Sequence, residues 1–169
     1  ILQASVFGSN LIVNQADLVS GGSVLGDIGV DALIAGDTAL DLRSTTLSGV
    51  EALQAGLSTA TTFTVDQADL MSGGSVIGGA GNDTLKAGGS TLNVTSTTLS
   101  SVEILRAGLS TATVFTVNPD QLATIGSVMG SSGADTLTIN DPVADLSGIV
   151  LSSVETLKAG TTNDTSFYV

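Results

Sequence analysis

Three stretches of the chain combine glycine and aspartate at a spacing that could bind an ion. They are Gly26–Ile34 (GDIGVDALI), Gly78–Lys86 (GGAGNDTLK) and Gly130–Thr138 (GSSGADTLT), with the shared frame G-x-x-G-x-D-x-L-x. Such a stretch is compatible with a calcium loop, a phosphate loop, or a turn in which the aspartate caps its own backbone. The phosphate-loop pattern G-x-x-x-x-G-K-[ST] is absent, so the calcium loop and the turn remain.

The composition limits the other chemistry that the chain could perform. It has 169 residues, of which 16 are acidic and 4 basic, giving a formal net charge of −12, and it has no histidine and no cysteine. The acid excess disfavours nucleic acid and anionic membrane surfaces as partners. No apolar run approaches the roughly 20 residues of a membrane span, so we expect no membrane insertion.

No catalytic constellation is visible, and we expect the protein not to be an enzyme. Neither histidine nor cysteine is present, and the nucleophile pattern G-x-S-x-G is absent. By residue type alone, the acidic residues could still supply the carboxylate pair of a polysaccharide-cleaving enzyme. The acidic residues recur once per repeat, however, which favours a structural role.

The elements that must position these stretches form a tandem repeat. VNQADL at Val13–Leu18 returns in related form at Val65–Leu70 and Val117–Leu122, an offset of 52 residues each time. We interpret residues 1–169 as one segment with repeats at about 9–60, 61–112 and 113–164 and the start of a fourth at 165–169. Repeats without insertions or deletions between them favour the interpretation that the chain is a segment of a longer array.

Alternating apolar residues within each repeat predict short strands. Leu105 and Ala107 face one side of such a strand and Arg106 faces the other. Short strands between regular turns predict an all-β, parallel β-solenoid (β-helix or β-roll-like), with a β-sandwich of duplicated hairpins as the alternative. The predicted core residues are Leu33, Leu53, Leu85, Leu105, Leu137, Leu157, Val65 and Val117.

The spacing of the L-x-A-G phrases predicts how the chain winds. Such phrases start at Leu33, Leu53, Leu85 and Leu105, so a short gap alternates with a longer one. We therefore expect each repeat to form two coils, one short and one long, and the chain to form about six. Leu99–Leu105 (LSSVEIL) should be a corner that leads into a strand, although its apolar spacing also permits a helix.

The middle glycine-aspartate stretch carries a resemblance to a known family. GGAGNDTLK fits the nonapeptide G-G-x-G-x-D-x-U-x, and the chain thus resembles repeats-in-toxin (haemolysin-type calcium-binding) proteins. More loosely it resembles bacterial surface-layer and giant-adhesin repeats. The resemblance implies calcium bound by the aspartates and loop groups, here Asp83, Gly79, Gly81, Asn82, Asp31, Asp27 and Asp135.

The chain also departs from that family. With one loop per two coils, equivalent loops would stack about 9.6 Å apart, and Glu51, Glu103 and Glu155 would form a row along the same side. One carboxylate per loop supplies fewer oxygens than the roughly six to eight that calcium takes.

Outward basic residues are expected to pair with acids. Lys86, Arg106 and Lys158 occupy the outward position of L-x-A-G phrases, where ion pairs with nearby carboxylates would be of modest value.

These observations favour a structural role. We expect a repeat segment of a secreted or cell-surface bacterial protein, a filament, stalk, surface-layer or matrix element that associates with itself through its coils. One alternative is a calcium-dependent folding module of a type I secreted enzyme or toxin. The other is an adhesin with a ligand-binding face.

Overall fold

The computed structural model is an all-β parallel β-solenoid of about 7 turns with about 22 residues per turn. It describes residues 1–4, 8–161 and 166–168. All strand pairs within these residues are parallel, so the predicted fold class is confirmed and the hairpin-built β-sandwich is excluded. A search of the same residues for a helix of the length and apolarity needed to cross a membrane finds none.

Short strands and three helical turns make up the described chain. The strands are β1 (Leu2–Gln3), β2 (Asn10–Val13), β3 (Gly22–Leu25), β4 (Ala32–Ala35), β5 (Ala39–Asp41), β6 (Thr45–Ser48), β7 (Ala52–Ala55), β8 (Thr62–Val65), β9 (Ser75–Ile77), β10 (Thr84–Ala87), β11 (Thr91–Asn93), β12 (Thr98–Ser100), β13 (Ile104–Ala107), β14 (Val114–Val117), β15 (Ser127–Met129), β16 (Thr136–Ile139), β17 (Val143–Asp145), β18 (Val150–Ser152), β19 (Thr156–Ala159) and β20 (Ser166–Tyr168). The helical turns are two 3-10 turns, Gln15–Asp17 and Gln67–Asp69, and the short helix α1 (Pro119–Leu122).

These elements follow one another around three sides of the solenoid. Side 1 stacks β1-β3-β6, the second 3-10 turn and then β11-β14-β16-β19. Side 2 stacks β2-β4-β7-β9-β12 and, beyond α1, the pair β17-β20. Side 3 stacks the first 3-10 turn under β5-β8-β10-β13-β15-β18. Each side is therefore a parallel ladder that contains one helical turn in place of a strand.

Each helical turn is specified by a capping box that recurs with the repeat. The backbone N–H of Asp66 donates to Oδ2 of Asp69 at 2.7 Å, three residues on. The N–H of Asn118 donates to Oε1 of Gln121 at 2.6 Å. A short polar residue followed three positions later by an acid or amide is the pattern that starts a helix, so VNQADL produces a turn where a strand would otherwise lie.

The predicted division of each repeat into two coils is wrong. A repeat contains six strands and one helical turn, as in β2 to β7 with the first 3-10 turn. Seven elements around a three-sided solenoid fill two turns and one further side, so each repeat starts one side further round than the last. The chain accordingly makes about 7 turns and not about six.

The strand registers give the true length of a turn. Asn10 pairs with Ala32, Ala32 with Ala52, and Ser75 with Thr98, so partners in successive turns are about 22 residues apart. The short gap between L-x-A-G phrases, from Leu33 to Leu53, is thus one turn. The long gap, from Leu53 to Leu85, joins β7 on side 2 to β10 on side 3 and is not a turn.

Aliphatic side chains from the three sides fill a narrow core. Leu33, Leu53, Leu85, Leu105, Leu137, Val65 and Val117 are all buried. Leu157, in the outermost strand of side 1, is only partly buried against this core. Phe63 and Phe115 are the largest fully buried side chains, so aromatic rings occupy a few central rungs and the rest is tiled by small aliphatic residues.

The stretch Leu99–Leu105 is a corner, as its sequence predicts. Strand β12 ends at Ser100 and β13 begins at Ile104, with Ser101 between them in the left-handed region at φ 51°. At the end of the chain, Ser166–Tyr168 form a strand paired with β17. Thr165 and Val169 of the predicted fourth repeat lie outside the described residues.

Candidate functional site: the aspartate corners

The three glycine-aspartate stretches form three corners of the solenoid. Asp31 immediately precedes β4 on side 2, Asp83 precedes β10 on side 3, and Asp135 precedes β16 on side 1. The expectation that they stack on one side, two strand spacings apart, is therefore wrong, since each repeat advances by one side. The same rotation separates Glu51, Glu103 and Glu155, which do not form a row.

Each aspartate side chain is buried and holds two segments of backbone. Asp83 is 1% exposed. Its Oδ1 accepts the N–H of Thr61 at 2.6 Å, from the preceding turn, and its Oδ2 accepts the N–H of Gly79 at 2.8 Å, from the same loop. Both carboxylate oxygens thus accept a hydrogen bond from a backbone donor.

The following turn binds the backbone of the same aspartate. The N–H of Asp83 donates to Oε2 of Glu103 at 2.8 Å. In return the Asp83 carbonyl accepts the N–H groups of Glu103 and Ile104 at 3.1 and 3.0 Å. One residue therefore joins three successive turns, and the buried polar groups of the corner are paired, as buried groups require.

The other two corners repeat this geometry. Asp31 accepts from the N–H groups of Ser9 and Asp27 at 2.6 and 2.8 Å, and its own N–H donates to Glu51. Asp135 accepts from the N–H of Thr113 at 2.6 Å and from the N–H and hydroxyl of Ser131, and its N–H donates to Glu155.

The first glycine of each stretch is needed for close approach of two turns. A Cβ on Gly78 would overlap the carbonyl oxygen of Ser101, and a Cβ on Gly26 would overlap that of Gly49. The fourth position has a different requirement, because Gly81 adopts φ 112°, a conformation that only glycine takes readily. The first glycine of the frame thus allows two turns to pack closely. The second allows the positive φ of Gly29 and Gly81, whereas at Gly133 a Cβ would overlap the backbone of Thr111 and Ala112.

The corners differ in their fit to a cation. At the second corner the oxygens of Asp83 point at N–H donors, the side chain of Asn82 is exposed and Gly79 donates its N–H to the carboxylate. At the third corner Asp135 is engaged in the same way. These two corners, as folded, do not present the several free oxygens that calcium takes.

The first corner has one polar atom without a partner. Oδ1 of Asp27 is buried and makes no hydrogen bond to the described residues. A search of those residues for groups of three or more histidine, cysteine, aspartate or glutamate side chains that could hold a metal ion finds none. Calcium binding therefore stays a prediction, and Asp27 is the residue that favours it.

One feature of the fold, present in the first two repeats, was not foreseen from the sequence. The side chain of Gln15 bonds to the backbone N–H and carbonyl of Asp41 at 2.6 and 3.3 Å, and Gln67 does the same at Asn93, at 2.6 and 3.0 Å. Each glutamine therefore continues the ladder where a 3-10 turn replaces a strand. The signal was the glutamine in VNQADL and VDQADL, which becomes Pro119 in the third repeat.

The outward basic residues form none of the expected ion pairs with the acids that the structure describes. The one ion pair among the described residues joins Arg43 and Asp41 at 2.6 Å. Lys86 and Arg106 have no carboxylate within ion-pairing distance in that part of the chain, so the prediction for these two residues is wrong. For Lys158, which also has none there, it stays a prediction because Asp164 lies outside the described residues.

Comparisons of the chain with protein-family models, with curated proteins and with solved structures gave no match. The fold and the corners are therefore interpreted on their own geometry.

Proposed function

We propose that the chain is a structural rod, a repeat segment of a secreted or cell-surface bacterial protein that lengthens by stacking coils. The observation that carries this proposal is the corner itself. Each repeat builds the same buried aspartate connection between three turns, once on each side. Residues that recur with this geometry serve the winding of the rod, whereas a catalytic site needs one distinct constellation.

The outermost strand of side 1 supports association through the end of the rod. In β19 the N–H groups of Thr156 and Gly160 donate to the backbone of the preceding turn, and those of Leu157 and Ala159 alternate with them and point to the open edge. Leu157 is also only partly buried. A further coil, from more repeats or from a second copy, would pair these groups and cover this side chain.

Sedimentation velocity with an edge-blocking variant tests this proposal. The wild-type chain should form species that lengthen with concentration, with a strand signal in circular dichroism. Ala159→Pro removes one N–H at the open edge, a position that an edge strand tolerates, and should lower association while the strand signal is kept. A wild-type chain that stays monomeric at all concentrations, or a variant that associates equally well, contradicts stacking through this edge.

A calcium-dependent folding module is the second candidate, favoured by the unpartnered Oδ1 of Asp27 and by the family resemblance of the loops. Under this proposal calcium should raise the unfolding temperature relative to chelator, and Asp27→Asn should abolish the difference. An identical unfolding temperature in calcium and in chelator contradicts it.

A further inference from the structure

The outward face of side 3 concentrates the few basic residues of this acidic chain. Thr64, Lys86 and Arg106 are paired in register on β8, β10 and β13, so they form one outward row about 4.8 Å apart. Thr62 and Thr84 form a parallel row beside them. Two of the chain's four basic residues are therefore direct neighbours.

Neither cation is held in an ion pair within the described chain. Lys86 and Arg106 have no ion-pair partner there, and like charges on adjacent strands are unfavourable. Two acids line this face. Asp41 pairs with Arg43, whose hydrogen bond lowers the pKa of the Asp41 carboxyl, and the charge of Lys86 lowers that pKa further. Asp37 accepts the N–H of Gln15 at 2.8 Å. The pair is thus positioned to bind an anion from outside.

A groove surrounds these residues and supplies hydroxyl groups. The groove has a volume of about 820 Å³. Its lining includes Thr62, Thr64, Thr84, Lys86 and Arg106 and, at one end, Gln15, Asp37 and Asp41. The hydroxyls of Thr62 and Thr84, which are half-buried, make no side-chain hydrogen bond to the described residues. They are available to donate to and accept from a ligand, whereas Thr64 is buried between its neighbours.

We propose that this groove binds a carboxylate-bearing sugar chain. An arginine and a lysine side by side bind carboxylate oxygens through charge-assisted hydrogen bonds, and the row of Thr62 and Thr84 offers partners for sugar hydroxyls. A protein partner is less well matched, because the groove offers no large exposed apolar residue such as those that anchor protein interfaces. This binding is independent of the stacking proposed above.

The repeat provides a matched control on another side. Lys158 stands at the repeat position of Arg106, one repeat later, but it lies on side 1 beside Thr138. No second basic residue flanks it in the register of β16 and β19. Lys158→Gln therefore removes one positive charge from the chain while the cation pair on side 3 is kept.

Isothermal titration with oligogalacturonate, at low and at physiological salt, tests the proposal. The wild type should bind the acidic oligomer and not its fully methyl-esterified form, which differs only in lacking the charge. Lys86→Gln combined with Arg106→Gln should weaken binding at least tenfold, whereas Lys158→Gln should change it less than twofold. Circular dichroism shows whether each variant is folded, and Arg106→Lys should retain most of the binding.

Several results would overturn the inference. They are no binding by the wild type, equal binding of the methyl ester, or equal binding by the double variant. A double variant that alters sedimentation of the protein, in a chain that binds no oligomer, would assign the cations to contacts between copies. Binding that persists in Ala159→Pro supports a groove that works separately from stacking, and its loss there contradicts that independence.

Discussion

At the scale of the residue, one aspartate per repeat carries the connection between turns. Asp83 uses both carboxylate oxygens, its N–H and its carbonyl to bind groups in its own loop and in the turns before and after it. Charge-assisted hydrogen bonds of this kind contribute about 1.5–3 kcal/mol each, and leaving a buried donor unpaired costs about 1–3 kcal/mol. The corner is therefore the most sensitive polar position in the repeat.

Asp83→Asn should lower the free energy of unfolding by about 2–4 kcal/mol. The amide group replaces one acceptor oxygen by a donor, which would face the N–H of Thr61 or Gly79. Urea unfolding in the presence of chelator measures the loss. The exposed neighbour Asn82 gives the control Asn82→Ser, which should change stability by less than about 0.5 kcal/mol. An Asp83→Asn protein as stable as wild type contradicts the role of the corner.

Gly78→Ala should destabilise the protein by about 3 kcal/mol or more, because its Cβ overlaps the carbonyl of Ser101. Gly148 has no atom within 4 Å of the added Cβ, so Gly148→Ala should be neutral or slightly stabilising. Thermal unfolding of the two variants makes the comparison. Equal effects would show that close approach of the turns does not determine the choice of glycine.

The sequence predicted part of this residue-scale account. A turn with a self-capping aspartate was one of the two interpretations of G-x-x-G-x-D, and the bond from Gly79 to Asp83 fits it. The partnership of Asp83 with Glu103 was not predicted. The two residues are 20 positions apart, and the short gap from Leu85 to Leu105 has the same length and is one turn. The assumed division of each repeat into two coils placed Glu51, Glu103 and Glu155 in one row along the solenoid and did not pair each of them with an aspartate.

At the scale of the element, the helical turns are the parts that interrupt each ladder. The strand that stacks on such a helical turn lacks the neighbouring strand that would pair with its backbone. The amide of Gln67 replaces that neighbour for Asn93, since one carboxamide offers both an acceptor and a donor.

Gln67→Ala should therefore lower the free energy of unfolding by about 1 kcal/mol, a modest value because Asn93 is exposed and water can replace the amide. Gln54→Ala is the matched control, since Gln54 lies on the outward side of β7 and makes no side-chain hydrogen bond to the described residues. Chemical denaturation distinguishes them. An equal loss in the free energy of unfolding in both variants would contradict the role of Gln67 in completing the ladder.

The second 3-10 turn also carries a carboxyl group with a perturbed pKa. Burial raises the pKa of Asp69 to about 6, and the charges of Asp66 and Asp41 add to this, although the hydrogen bond from Asp66 opposes it. The unfolded chain releases this proton near pH 4 and the native chain near pH 6. Between these values the native state binds more protons, so this group's contribution to stability falls as the pH rises from about 4 to about 6.

Asp69→Asn should remove that pH dependence and raise stability at pH 7 by about 1–2 kcal/mol relative to wild type. The third repeat already has a neutral residue, Gln121, at this position, and it makes the same capping bond. The difference in unfolding free energy between variant and wild type, measured from pH 4 to pH 8, should grow with pH and level off above about 6. A difference that is constant with pH contradicts the perturbed pKa.

At the scale of the whole molecule, the winding depends on how the 52-residue repeat fits turns of about 22 residues. The sequence predicted parallel strands, an aliphatic core and the repeat period, because alternation and repetition are local signals. It did not predict the winding, because VNQADL behaves as a seventh element that occupies the place of a strand. Only the registers reveal that a repeat is two turns and one side long.

Because each repeat starts one side further round than the last, equivalent positions of successive repeats lie on different sides, and the three sides carry different outward residues. The outward row of side 2 carries Ile12, Ile34 and Ile77, and Ile12 is 71% exposed. The corresponding row of side 3 carries Lys86 and Arg106. A substitution at one position of one repeat thus changes one side of the solenoid at one turn. A binding face can therefore arise on side 3 while the corners stay the same.

Cysteine crosslinking tests this winding most directly, since the chain has no native cysteine. Arg106 and Met129 are register partners on adjacent strands of side 3, one turn apart, at a spacing that a disulfide can bridge. Arg106 and Lys158 are equivalent residues of successive repeats, and they lie on sides 3 and 1. We predict rapid intramolecular disulfide formation in Arg106→Cys/Met129→Cys and none in Arg106→Cys/Lys158→Cys. A crosslink in the second pair without one in the first would contradict the three-sided solenoid.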